Sequence, residues 1–175
     1  MCRFASYHFS PKDMDPNVLK NLSLMLSRRA GVSGGEPPRM IEWPEYGQRS
    51  EPCGSQTVWY VDRPVGAPFI KAFASEVEER GGGILIHSGK VTFDAAKKLA
   101  AMKEVQVFDV KYFSFDLMAV VPEHSLWKRP GDEGYPEKTA QSFPKIMASD
   151  PVCRYHGFHP RDLVHVKPHD VYIVC

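Results

Sequence analysis

Apolar residues recur at helical spacing over Val18, Leu19, Leu22, Met25 and Leu26, between a start signal at Asp15 and Pro16 and a stop at Gly31. The first element is therefore predicted to be an amphipathic helix. The stretch VSGGEPP from Val32 reads as a loop. Beyond it, RMIEW and TVWYVD have the β-branched and aromatic content of strands. A polar, proline-containing connection separates them, and the two are predicted to pair. A second helix is expected from near Val65 or Pro68 through Phe69, Ile70, Phe73 and Val77 to Arg80, where three glycines end it. The run ILIH from Ile84 to His87 follows as a buried strand. Thr92 is placed to cap a third helix holding Phe93, Ala96, Leu99 and Met102, after which VQVFDV from Val105 resumes extended structure. This strand, helix, strand order predicts a parallel crossover and an α/β domain over residues 1–115.

The second part of the chain is patterned differently. LMAVV, from Leu117 to Val121, starts a second unit. Residues 128–142, KRPGDEGYPEKTAQS, have no apolar period and many chain breakers, so an exposed loop is expected. FPKI then leads into a short helix with both ends specified. Asp150 is suited to cap it, Pro151 to its first position and Gly157 to the left-handed residue that closes it. Two strands, LVHV and VYIV, joined by KPHD, complete a small α+β module over residues 116–175.

At 175 residues, with 43% hydrophobic and 25% charged positions, the composition is that of an ordinary globular protein with one large domain or two small ones. A net charge of +1 provides no global field for an acidic partner, so any nucleic-acid contact has to be local. Cys2, Cys53, Cys153 and Cys175 are widely separated, without a CxxC pair. The segment MCRFASYHFS lacks the charged lead and apolar run of a secretory signal. No window approaches the roughly 20 apolar residues of a membrane span. Free thiols in a soluble intracellular protein, with no membrane partner, are the expectation.

Three constellations invite a chemical reading. Cys153, His156, His159, His165 and His169 are close in sequence, but they reproduce no zinc-ligand spacing, and no metal or cofactor is expected. Asp109 and Lys111, placed on one side of a strand end, would suit a metal-dependent nuclease if Asp62 or Asp94 supplied a second carboxylate. Lys90, Lys97, Lys98 and Lys103 surround the third helix, whose first amides at Thr92 are free for a phosphate. A solvated helix face explains the same lysines. No GxSxG is present, and the triple glycine precedes a strand rather than a helix, so neither a nucleophile elbow nor a phosphate cradle is written here.

The string DPVCRYHG at Asp150 to Gly157, with FPKI before it and LVHV after it, resembles the C-terminal module of the fifth shared subunit of eukaryotic nuclear RNA polymerases and of its archaeal counterpart. AVVPEH and GILIHSGKVTFDAAKKL resemble further segments of that family. The resemblance implies a non-catalytic structural subunit in the nucleus. Its N-terminal jaw would have a restriction-endonuclease-like layout and lie beside downstream double-stranded DNA. Its C-terminal assembly module would dock on the largest subunit, next to neighbouring small subunits. On this basis Pro144, Ile146, Asp150, Pro151, Arg154, Tyr155 and Gly157 form the docking module, and Lys90, Thr92, Lys97 and Lys98 face DNA. The family's nuclease-like domain cuts nothing, which returns Asp109 and Lys111 to surface positions. The chain departs from the family at Asp94, in the breaker-rich loop and in the shortened last hairpin. Those losses suggest a divergent paralogue dedicated to one polymerase, polymerase I being the choice. Against these stand two other readings, the nuclease and a free-standing protein-interaction module.

Overall fold

The computed structural model describes residues 14–32, 37–44, 46–50, 56–168 and 170–175. Its element order is α1 (Pro16–Ala30), β1 (Met40–Trp43), β2 (Gly47–Ser50), β3 (Thr57–Val61), α2 (Ala67–Arg80), β4 (Gly83–His87), α3 (Phe93–Ala101), β5 (Val105–Asp109), β6 (His124–Lys128), β7 (Lys145–Ile146), α4 (Pro151–His156), β8 (Leu163–Val166) and β9 (Asp170–Val174). Among the described residues this is a mixed α/β fold with four α-helices and two mixed sheets. The chain divides into two compact units. One comprises the described residues of Met1–Ser23 and Glu36–Phe115, the other those of Leu24–Gly35 and Asp116–Cys175. The second half of α1 thus belongs with the C-terminal unit.

In the first unit the strands lie in the order β1-β2-β3-β4-β5, with β3, β4 and β5 parallel. Helices cover a parallel sheet on its faces, so its strands carry apolar residues at nearly every position. Register separates them by face. Trp59, Leu85 and Val107 align across the sheet and pack with Phe69, Phe73 and Val77 of α2 and Leu99 of α3. Val58, Tyr60, Ile84, Ile86 and Phe108 alternate with them and are also buried. Trp43, Phe69, Phe73 and Trp59 meet through ring centroids 5.1 to 6.3 Å apart, an aromatic block beneath α2. Gly83 is required where β4 starts, since its φ is +150° and a Cβ would lie 2.0 Å from the Thr57 carbonyl oxygen.

The expected pairing of RMIEW with TVWYVD is corrected. β2, the polar run GQRS, lies between β1 and β3 and pairs antiparallel with both. Its sequence has no apolar period, yet Gln48 and Ser50 are buried, and the Ser50 hydroxyl accepts the Val58 amide at 2.9 Å. Tertiary pairing with two neighbours outweighs local propensity here. The VSGGEPP loop lies largely outside the described residues.

The second unit has a four-stranded sheet in the order β6-β8-β9-β7, antiparallel except for the parallel β7–β9 pair. Two covers close it. Cys153, with Ile146, Ala148 and Phe158, packs on Val164 and Val174. Tyr135, Ala140 and Phe143 pack on Leu163 and Ile173. Residues 128–142 are therefore not simply an exposed loop. Tyr135 is buried and its hydroxyl donates to the Arg161 carbonyl at 2.7 Å, and Ala140 is 2% exposed. A single aromatic anchor needs no repeat to be buried, which is why a period-based reading misses it. LMAVV begins as a 3-10 turn over Leu117–Ala119 capped by Asp116, and β6 has no counterpart among the strands expected from sequence.

Candidate functional site

The string Asp150 to Gly157 folds as its stereochemistry dictates. Asp150 accepts the Val152 amide at 2.8 Å, Pro151 opens α4, and Gly157 closes it at φ +70° with its amide directed to the Arg154 and Cys153 carbonyls. Val152, Cys153 and Tyr155 are buried. Pro144 and Ile146 hold the edge of the sheet, their carbonyls accepting Ile173 N at 2.8 Å and Cys175 N at 2.9 Å.

Two arginines from the last turn of α1 fix this helix, and the local pattern did not reveal them. Arg29 donates from Nε to the Tyr155 carbonyl at 2.6 Å and from Nη2 to the Arg154 carbonyl at 2.5 Å. These are among the last carbonyls of α4, at its negative dipole end, and the Arg154 carbonyl also accepts the Gly157 amide at 3.3 Å. Arg28 grips Asp116 with both terminal nitrogens, at 2.7 and 2.9 Å, and also donates to the Tyr155 hydroxyl at 2.7 Å. The bond to Asp116 raises the Arg28 pKa still further above its ordinary value, so the guanidinium remains charged. Burial pushes the Tyr155 phenol up, against the opposing effect of Arg28, so its hydroxyl remains protonated. Arg154 itself is half-buried, its amide bonded to the Asp150 carbonyl.

The cysteine and histidine cluster resolves into unrelated roles. Cys153 is fully buried, and burial, with Asp150 and Asp162 nearby, pushes its thiol up to about 11. His156 stacks on Phe158 with centroids 4.9 Å apart, and its buried Nε2 has no hydrogen-bond partner. Burial, reinforced by His124, Arg29 and Arg28, lowers its pKa to about 4, so the ring is neutral. His159 is exposed, His165 sits on β8 opposite Val171, and His169 lies outside the described residues. Among the described residues no group of three or more His, Cys, Asp or Glu side chains is placed to hold a metal.

The residues of the nuclease reading sit at the end of β5 and just beyond it. Asp109 ends β5 and accepts the Lys111 amide at 2.9 Å, capping a 3-10 turn over Val110–Phe113. Lys111 is thus on that turn instead of one side of a strand. Asp62 lies 3.9 Å from Arg63, and Asp94 is in the first turn of α3.

The segment singled out for DNA lies at the carboxyl ends of the parallel strands. Lys90 precedes α3, its carbonyl accepting Val65 N at 2.8 Å, and the Thr92 hydroxyl caps the helix by accepting Ala95 N at 3.4 Å. Gly89 is packed so closely that a Cβ would meet the Arg63 carbonyl at 2.2 Å. Lys90, Lys97, Lys98 and Lys103 are all exposed, and so is Phe93, at 84%. Of the apolar residues expected in this helix, Leu99 is buried beside Ala95, whereas Phe93 and Ala96 are exposed.

No described helix is long and apolar enough to cross a membrane. No family model matches the chain. Over 162 residues, 93% of this chain and the whole of the relative, it is 98% identical to uncharacterized protein 028R of Frog virus 3 (isolate Goorha). This corrects the placement among the fifth shared subunits of eukaryotic polymerases as a divergent paralogue. The relative is a viral protein whose name designates no polymerase subunit.

Proposed function

We propose, from the premise that the chain belongs to the family of uncharacterized protein 028R of Frog virus 3, that it is a non-catalytic structural subunit of a DNA-directed RNA polymerase. The C-terminal unit docks on the largest subunit, and the first unit, in an endonuclease-like layout that cuts nothing, stands beside downstream DNA. The nucleus is its place of action. The observation that carries the reading is the construction of the C-terminal unit. A six-residue helix is capped at both ends, tied at its last carbonyls by Arg29 and buried against a four-stranded sheet. So much fixation of so short an element suits a rigid docking surface, because pre-ordered groups lose little entropy on association. The polymerase part of the reading draws on the sequence DPVCRYHG with its flanks FPKI and LVHV.

Asp109, the carboxylate of the nuclease alternative, accepts the Lys111 amide at 2.9 Å, and the docking reading gives it this capping role alone. DNA contact, on this proposal, comes from Lys90, Lys97 and Lys98 around the Thr92 cap, and is weak and indifferent to sequence.

The test is truncation. A chain ending at Ser142 loses β7, α4, β8 and β9 and is expected to vanish from polymerase purifications in which the full chain is retained. Retention of the truncated chain at the full-length level would contradict the docking assignment.

A further inference from the structure

His156, at the end of α4, is a titratable group whose surroundings accept no proton. Its Nε2 is buried without a hydrogen-bond partner. One face of the ring lies on Phe158, with centroids 4.9 Å apart, and Tyr155 meets it edge-on at 5.4 Å. We propose that this histidine makes the clamp between α1 and α4 acid-sensitive, protonation releasing the last turn of α1 from the carbonyl end of α4 while the sheet beneath stays folded. The inference goes beyond the polymerase reading, since it concerns the second unit alone and needs no partner.

The charges around the ring favour that outcome. The ionisable groups acting on it are Arg28 and Arg29 from α1 and His124 from β6, with the Tyr155 phenol of its own helix against its edge. Three of these are basic and the phenol stays protonated, so none offers a negative charge to an imidazolium. Asp116, the carboxylate bonded to this cluster, is held by both terminal nitrogens of Arg28. The last carbonyls of α4 suit a cation, but Arg29 already occupies those of Tyr155 and Arg154. A proton on Nε2 is therefore a buried charge without an acceptor.

Which side gives way follows from what holds each. Phe158 packs against the core cluster of Cys153, Val164 and Val174. The last turn of α1, by contrast, has no buried residue among Arg28, Arg29 and Ala30, and it is held on α4 by polar contacts. Contacts of that kind contribute less than buried core side chains. The α1 end is the weaker side, and its departure takes away two of the three cations together. The folded ring titrates at about 4 and an ordinary histidine at 6.5. The released state thus binds the proton first, and the clamp weakens as pH falls from about 6.5 towards 4.

The experiment is amide hydrogen exchange of the full chain, followed by NMR and corrected for the intrinsic pH dependence of exchange. Between pH 7 and 5.5 the amides of Arg28, Arg29, Gly157 and Phe158 are expected to lose protection roughly five- to tenfold, through an opening that urea barely promotes. Ile173 and Val174, bonded to the Pro144 and Asp162 carbonyls, should stay better protected at both pH values and open only with urea. His156→Phe, which keeps the stack on Phe158, should make the first group indifferent to pH, and Arg29→Ala should expose it already at pH 7. The ring signals of His156 give a reading that needs no variant, and should titrate well below the range of an exposed histidine. Equal protection of the two groups of amides, an unchanged pH dependence in His156→Phe, or a ring that titrates near the ordinary value overturns the proposal.

Discussion

Tyr155 occupies the junction of three interactions, its ring buried, its hydroxyl on Arg28 and its carbonyl on Arg29. Replacing Arg28 by Ala removes a paired contact to Asp116 and leaves the phenol without that donor. The expected loss is about 1–2 kcal/mol in urea unfolding of the C-terminal unit, with Tyr155→Phe costing less because the Arg28–Asp116 pair survives. Equal losses would show that the phenol, not the ion pair, supports the helix. His156 gives a pH test. Its folded pKa of about 4 lies below the ordinary 6.5. The unfolded chain therefore takes up the proton first, and stability falls as pH drops from about 6.5 towards 4. At pH 5.5 the loss should be on the order of 1 kcal/mol after discounting for solvent screening, and His156→Phe, which keeps the stack on Phe158, should remove it. A variant whose stability falls as steeply as wild type between pH 7 and 5.5 would refute this origin.

At the scale of elements, legibility follows the range of the cause. α4 was readable to its last residue because Asp150, Pro151 and Gly157 act on the backbone within a few positions. α2, α3 and the parallel β4–β5 pair were readable because apolar runs and caps are local too. β2 was not, since the burial of Gln48 depends on neighbours on both sides. The covering role of Tyr135 and the arginine clamp from α1 connect residues 26 and about 126 positions apart, and no local pattern encodes such partners. The elements also differ in what substitution should do. Asp150→Ala should cost about 1 kcal/mol, the usual value of an N-cap. Gly83→Ala, which would drive a Cβ into the Thr57 carbonyl, should cost on the order of 3 kcal/mol or more and be confined to the first unit. Circular dichroism melts of the two variants distinguish the cases, and a mild Gly83→Ala would mean that β3 and β4 can separate at that end.

At the scale of the whole molecule, the candidate surfaces are distributed over both units. The lysines near α3 belong to the first, while the capped helix and the arginine clamp belong to the second. On the docking role proposed above, each unit would engage a different partner. If the lysines touch DNA, Lys97→Glu with Lys98→Glu should lower duplex affinity uniformly across sequences and reduce the salt dependence by about two counterions. An unchanged salt slope would remove DNA from the first unit's role. The family relation to a Frog virus 3 protein locates the chain without assigning the surfaces an occupant. Quantitative affinity purification of the tagged full chain in high salt tests the central claim most directly. The expected result is the largest subunit of a DNA-directed RNA polymerase at one copy per chain, and its consistent absence would contradict the account.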